Sequence, residues 1–478
     1  MIINKELQLA NDLIQYTGTS IFLTGKAGTG KTTFLHNLKL KSPKRMVVLA
    51  PTGVAAINAG GVTIHSFFQL PFCPHVPTLL YQDDTGTYNT TNEFGDQKNR
   101  TYAHKYGRDK IKIFKTVDLI VIDEISMVRA DILDAIDEIL RKYRRNDKPF
   151  GGAQMLFIGD VKQLAPVAKE EEWKLIEKYY DSPYFFSSHA FRRSQYTSIE
   201  LVEIFRQEDK KFIDLLNKVR SNKLDDESIN ILNERYIPGF NNLDNKGYIT
   251  LTSHNYQAKN INNQHLEKID KQEFAFYAEV KGDFPEYSYP TDEELIIKVG
   301  SQVMFVKNDP SNDKRYFNGK IGIVEDIDNN KIYVKCDDND ENITVQPLEW
   351  TNVKYVLNHT TNEIEEEIQG TFKQYPLKLA WAITIHKSQG LTFEKLIVDA
   401  QMSFAHGQVY VALSRCKSLE GLVLISKIDK HTLKNDYSVD LFEYEIEHKH
   451  ADIEKLQTLK KKYFYDLLNE LFTFEQLY

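Results

Sequence analysis

Between an apolar run, Ile21-Phe22-Leu23-Thr24, and a run of helical character, Thr33-Phe34-Leu35-His36-Asn37-Leu38, stands the peptide Gly25-Lys26-Ala27-Gly28-Thr29-Gly30-Lys31-Thr32. No other feature restricts the fold as strongly. A buried strand feeding a glycine-rich turn and then a helix is the layout of a phosphate-binding loop. Glycines let main-chain N–H groups close on phosphate oxygens, and the helix that follows presents the positive end of its dipole. Lys31 neutralises charge, and the Thr32 hydroxyl can ligate Mg²⁺. The candidate nucleotide contacts are therefore Gly25, Ala27, Gly28, Thr29, Gly30, Lys31, Thr32 and Thr33. A chance glycine-rich turn would lack the flanking strand and helix. The chain is expected to bind a nucleoside triphosphate.

At 478 residues the chain exceeds one ordinary core, so about two to four domains are expected. No apolar run approaches the roughly eighteen residues of a membrane span, and the first residues lack the order of a signal peptide. Cys73, Cys336 and Cys416 are scattered, without metal-ligand spacing, which suits a reducing cytoplasm. The formal charge of −8, from 60 basic and 68 acidic residues, does not announce a nucleic-acid partner. Any such partner must bind a local groove. The acidic stretches 337–341 and 363–367 read as solvated turns.

Strands and helices alternate through the first part of the chain, which argues a mostly parallel sheet. Arg45 to Ala50 reads as a strand, Val54 to Ala59 as a small-residue helix, and Leu119 to Ile122 and Gln154 to Ile158 as buried strands. The polar stretch from Pro71 to Arg108 is too long for an ordinary connection and reads as an excursion with its own function. Apolar residues at Val128, Ile132, Ile136, Ile139, Leu140 and Tyr143 lay one stripe of a helix on a core. A second alternating set is expected from residue 191, with a strand Ile199 to Ile204 and a helix Lys210 to Val219. Short β-rich runs from 273 to 374 read as an inserted small barrel. Alternation returns with Leu377 to Ile385, and the tail beyond residue 430 reads as peripheral helix.

The chemistry lies at strand ends. Asp123-Glu124 closes a buried strand; the aspartate can hold Mg²⁺ with Thr32, and the glutamate can polarise an attacking water. Asp160 and Gln163 follow another strand, at the sheet edge where ligands of open α/β sheets bind. Arg206, read as a strand terminus, and Arg415, ending a small-residue helix, can deliver guanidinium groups from a second domain to a γ-phosphate. The catalytic candidates are Lys31, Asp123, Glu124, Gln163, Arg206 and Arg415. His65, Phe67, Phe68 and Phe72 can stack on bases, although Phe67 and Phe68 also suit a core. Leu424 to Asp429 resembles a guanine-reading peptide, but it has Ser426 where that peptide has Asn, and no switch motif follows the loop.

In order along the chain, GKAGTGKT, APTGVAA with GGVTIHSFF, VIDEISMV, FIGDVKQLAPV, EIFRQ, LTSHNYQAKNIN, WAITIHKSQGLTF and GQVYVALSRCKSLEGL match the motifs of superfamily one DNA helicases. The resemblance spans roughly residues 1 to 430 and is strongest to the Pif (petite integration frequency) family, related to RecD and Dda. The peptide from Ser126 to Arg145 resembles that family's signature region. The resemblance implies an α/β fold of two RecA-like P-loop domains, with ATP in the cleft between them. It divides the chain into a first domain over 1–64 and 108–190 with a wedge insertion at 65–107, a second over 191–272 and 375–430 with an SH3-like barrel insertion at 273–374, and a helical tail at 431–478. It places Gln8 on the adenine. It places Thr52, Gly53, Thr63, His65, Ser66, Phe67, Thr384, His386, Lys387, Ser388 and Gln389 on single-stranded DNA.

The expected protein is an ATP- and Mg²⁺-dependent DNA helicase, cytoplasmic and nucleoid-associated, acting in replication, repair, recombination or telomere maintenance. Its expected partners are single-stranded DNA and duplex or G-quadruplex DNA, with no membrane. It is expected as a monomer or as a dimer on DNA. Movement from 5′ to 3′ and action on G-quadruplexes or RNA–DNA hybrids follow from the resemblance alone. The alternative is a nucleotide-gated clamp that hydrolyses ATP on DNA without unwinding it.

Overall fold

The continuous apolar runs of the amino-terminal part become strands of one parallel sheet because both its faces are covered. The computed structural model describes residues 4–472 apart from 78–79, 83–87, 91–105, 241–246, 312, 329–330, 338–340, 359, 362, 403–406, 434–435 and 451–452. Six strands, β1 (Ser20–Gly25), β2 (Met46–Ala50), β3 (Val62–Thr63), β4 (Leu119–Ile122), β5 (Gln154–Ile158) and β6 (Tyr196–Leu201), lie in the order β3-β2-β4-β5-β1-β6. Every pairing in it is parallel. Alternate side chains serve opposite faces. Phe22, Val47, Leu49, Ile120, Ile122 and Phe157 enter one core. Ile21, Leu23, Val48, Val121, Leu156 and Ile158 enter the other.

The first core is completed by the helices Arg108–Thr116 and Ala130–Arg144. The second helix carries the expected apolar stripe and, in addition, three buried carboxylates. Asp131 accepts from Arg129 and the His75 N–H. Asp134 accepts from the Tyr180 hydroxyl and the Ala190 N–H, and Asp137 from Arg141 and the Phe150 N–H. These acids at successive turns fasten loops, so the region resembling the family signature acts as scaffold.

A second parallel sheet holds β7 (Ile249–Thr252), β8 (Ala382–Thr384), β9 (Leu396–Val398) and β10 (Leu422–Leu424), in the order β8-β7-β9-β10. Its core joins Leu251, Ile383, Val398 and Leu424 to the helices Lys210–Arg220 and Gln408–Leu413. The strand expected to open this second set instead forms as β6 and pairs with β1 over its whole length. The first unit therefore extends past residue 191, and Arg206 lies in the connection after β6 rather than at a strand terminus. Leu377–Leu379, expected to resume the alternation, pairs antiparallel with Gln302–Phe305.

Between β7 and β8, after the helix Asn255–Glu267, the strands from Glu273 to Leu379 all pair antiparallel. A long ribbon, Leu348–Leu357 with Ile364–Gln374, reaches back to the first unit. There the Tyr355 hydroxyl accepts from the Val48 N–H at 3.1 Å and Glu366 pairs with Lys39. Most of the expected wedge, 65–107, lies outside the described residues; within it, Leu80–Gln82 and Tyr88–Thr90 pair antiparallel. Its expected start is part of the first core, which holds Phe67, Phe68 and Leu70.

The tail is not peripheral at its first helix. Phe442, on Tyr437–Glu447, stacks on Phe186 at 4.4 Å and meets Phe22 edge-on, and the Ser198 N–H donates to the Lys449 carbonyl.

Candidate nucleotide site and nucleic-acid groove

β1 delivers the chain to the glycine-rich loop, and the helix Lys31–Lys41 departs from it with Gly30 as its N-cap. Gly28 and Gly30 have φ of 81° and 85°, the left-handed region that glycine tolerates. Space matters equally: a Cβ on Gly28 would stand 2.5 Å from the Cβ of Arg206, and one on Gly25 would stand 2.7 Å from the Thr29 hydroxyl. Lys31 folds over the loop and donates to the carbonyls of Gly25 and Lys26 at 2.5 and 3.0 Å. Burial lowers its pKa, opposed by Asp160, Glu124 and Asp123. Thr32 and Thr33 are exposed at the head of the helix, and Thr29 is buried with its hydroxyl on the Lys26 carbonyl.

Asp123 follows β4, buried, with one carboxylate oxygen accepting the Glu124 N–H at 3.0 Å. Burial raises the pKa of both acids, and Lys31 and Arg415 oppose the shift at Glu124. Glu124 adopts φ 51°, ψ 44°, a strained conformation for a non-glycine residue of the kind held at functional sites. Asp160, after β5, takes a bond from Gln163 at 3.2 Å and a two-nitrogen contact from Arg220 at 2.9 and 3.3 Å. Burial alone would raise its pKa; the Arg220 guanidinium brings it below the ordinary carboxylate value.

The connection after β6 supplies Arg206 and the second unit supplies Arg415. Arg206 donates to the carbonyls of Ser414 and Gly390. Arg415, only 2% exposed, donates to Val411, Ser388 and the Ser414 hydroxyl. Among the described residues neither forms an ion pair with a carboxylate. Burial, and then the charge of Arg206, lowers Arg415 to a pKa of about 9. Lys31, Glu124, Arg206 and Arg415 thus share one electrostatic site across the two units.

Sequence reasoning missed four contributors. The Tyr410 hydroxyl accepts the Ala27 N–H at 3.1 Å from the opposite unit; a lone phenol among the aliphatic residues Val409, Val411, Ala412 and Leu413 is its only sequence signal. Arg220 carries no sequence signal. Phe205, 59% exposed, lies against Gly30 and donates its N–H to Gly28. Asn4 caps the first helix and also donates to Glu203, in the connection that carries Arg206. Gln8 is exposed on that helix with its amide on Asp12.

In the groove candidates, hydroxyls cap helices. Thr52 accepts the Ala55 N–H and Thr63 the Ser66 N–H. Phe67 is buried, edge-on to Phe68, Phe114 and Tyr355, so its ring cannot stack on a base. Phe68 is buried as well. Phe72 is 79% exposed, stacks on His65 at 4.8 Å and meets the exposed Tyr287 edge-on at 6.4 Å. Ser66 is exposed. In the second unit Thr384 accepts the Lys387 N–H, and buried Ser388 turns its hydroxyl onto Ile385. Lys387 is exposed; His386 and Gln389 are half-buried, and the Gln389 amide nitrogen has no partner among the described residues.

Such an arrangement is that of a P-loop nucleoside triphosphatase whose site is shared between two parallel-sheet units. A family model described as PIF1-like helicase matches residues 4–79 and 93–230. The ATP-dependent DNA helicase Pif1 of Campylobacter jejuni is 33% identical over 427 residues, covering 85% of this chain and 89% of that protein. The chain belongs to the PIF1-like helicase family. The structure of Pif1 from a Bacteroides species in complex with ADP-AlF4 is similar at 40% identity and a TM-score of 0.83, covering 94% of this chain and 98% of that one. Bacteroides Pif1 bound to single-stranded DNA has the same identity and coverage but a TM-score of 0.63. The chain as a whole therefore superposes more closely on the first of these structures.

Proposed function

We propose that the chain is an ATP-hydrolysing motor that moves along single-stranded DNA and separates duplex ahead of it. The observation that carries this reading is the pair of guanidinium groups, Arg206 from the connection after β6 and Arg415 from the second unit, brought to the P-loop with no carboxylate ion-pair partner among the described residues. Charges left unpaired in a buried site are costly unless a ligand supplies the counter-charge. A terminal phosphate is such a ligand. In this reading Lys31 and the loop N–H groups hold the phosphates, Glu124 accepts the proton of the attacking water, and Gln163 orients beside the terminal phosphate.

The residues suit Mg²⁺: Asp123 keeps one carboxylate oxygen free of the Glu124 N–H, and Thr32 stands at the head of the loop helix. Bound there, the ion neutralises charge building on the phosphates. Phe205, open beside Gly30, is suited to cover the base, a role the helix bearing Gln8 can share.

For DNA, Thr52, Gly53, Thr63 and Ser66 on one unit and His386, Lys387 and Gln389 on the other offer hydroxyls, main-chain N–H groups and a cation to phosphates. His65, Phe72 and Tyr287 offer stacking worth about 1–3 kcal/mol per base. We assign first-unit residues through β6, a β insertion from 273 to 379, and a second unit around it. Direction from 5′ to 3′, action on G-quadruplexes and a cytoplasmic, nucleoid-associated site belong to this proposal. No described helix is long and apolar enough to cross a membrane.

The test is unwinding of 5′-tailed against 3′-tailed duplexes with ATP and Mg²⁺. Strand separation from the 5′ tail alone is expected. DNA-stimulated hydrolysis without separation of either substrate would make the chain a clamp instead.

A further inference from the structure

The helix Gln408–Leu413 meets the first unit at two points. At its start, Gly407 lies on the loop after β5, where a Cβ would stand 2.1 Å from the Gln163 carbonyl oxygen and 2.7 Å from that of Lys162. In its middle, the Tyr410 hydroxyl accepts the Ala27 N–H of the P-loop at 3.1 Å. A single contact would leave the helix free to turn about its axis; two contacts fix both its position and its rotation. Arg415 stands just beyond the helix, and its guanidinium is bonded back to Val411 and Ser414. Wherever the helix is set, Arg415 is set with it.

We propose that Tyr410 is a positioning residue for hydrolysis: its hydroxyl, held by the Ala27 N–H, aligns the helix that presents Arg415 to the phosphate loop. The inference rests on the reading of this site as one that hydrolyses a nucleoside triphosphate. Tyr410 acts through Arg415 and leaves nucleotide contact to the loop. Burial first, and then Asp160, pushes its phenol up to about 12, so the group stays a neutral hydroxyl throughout the working range. The same helix end reaches the groove, because Arg415 donates to the Ser388 carbonyl and its own carbonyl accepts the Phe393 N–H.

The experiment compares the full-length chain with Tyr410→Phe, which keeps the ring and removes only the hydroxyl. Steady-state ATP turnover is measured with saturating single-stranded DNA, together with the affinity for ADP and the thermal midpoint. The proposal expects kcat to fall about five- to thirty-fold, the effect of losing one buried hydrogen bond at a reacting site. It expects KM for ATP and the ADP affinity to stay within about two-fold and the thermal midpoint to fall by no more than about 2 °C, as loss of one buried hydrogen bond in a chain of this length allows. An unaltered kcat, a KM rising in step with the loss, or melting earlier than that would overturn it. A wild-type chain without DNA-stimulated turnover would instead overturn the helicase reading itself.

Discussion

Gly53 and Ser288 meet across the seam between the first unit and the β insertion: a Cβ on Gly53 would stand 3.6 Å from the Cβ of Ser288. That separation suits a disulfide. Gly53 begins the helix proposed to face DNA, so Ser288 covers a surface the strand must reach. In a Cys73→Ser background, the Gly53→Cys, Ser288→Cys double variant is expected to lose single-stranded DNA affinity at least about ten-fold when oxidised and to recover it on reduction. Fluorescence anisotropy of a labelled oligonucleotide reads the change, and equal affinity in both redox states would remove the covering role.

Arg415→Ala is expected to keep ATP affinity within a few-fold while DNA-stimulated turnover falls by about 10³–10⁵. The side chain is bonded within its own unit and not to the phosphate loop, so its loss leaves the binding contacts intact. Nucleotide titration beside a phosphate-release assay separates the two quantities. Undiminished turnover would exclude a direct role.

Glu124→Gln should retain nucleotide and lose turnover and unwinding together, by about 10²–10⁴-fold. The amide keeps the shape of the side chain in its left-handed backbone position but cannot accept the proton. A trapped nucleotide complex on filter binding, with no phosphate released, is the expected signature.

Arg220 balances Asp160 in a buried pair, and Arg220→Leu is expected to cost about 3–5 kcal/mol at neutral pH in urea unfolding. In the wild type the depressed carboxyl pKa contributes stability above its unfolded value of about 4, lost only as pH falls through the folded one. Without Arg220, burial governs and raises the carboxyl. The variant should therefore recover stability as pH is lowered from 8 to 5, a range over which this pair's contribution to the wild type is constant. A pH-independent deficit would show that Lys31 and Gln163 suffice to keep Asp160 ionised.

Local patterns carried much of this site. Gly25 to Thr32, Asp123-Glu124 and the two arginines were readable because loop chemistry and strand-end acids are local in sequence. Their convergence was legible only through the resemblance to the Pif family. Contacts between distant residues left no local trace. β6 pairs with β1 across more than half of the first unit, and nothing in Tyr196 to Leu201 names its neighbour. Phe67 offers the same composition to a base or to Phe114 and Tyr355, and the ribbon carrying Tyr355 arrives from the insertion. Phe442 looked like an ordinary tail residue, yet it closes the aromatic core around Phe22 and Phe186.

Gly407 touches the neighbouring unit through main chain alone, with φ 76° and no room for a methyl group. Carbonyl oxygens are common to every amino acid, so this bearing surface does not itself depend on which side chains the opposing loop carries. Position 407 has no such freedom. A bearing built this way keeps its geometry while the side chains around it vary, and a single alanine there would wedge the two units apart.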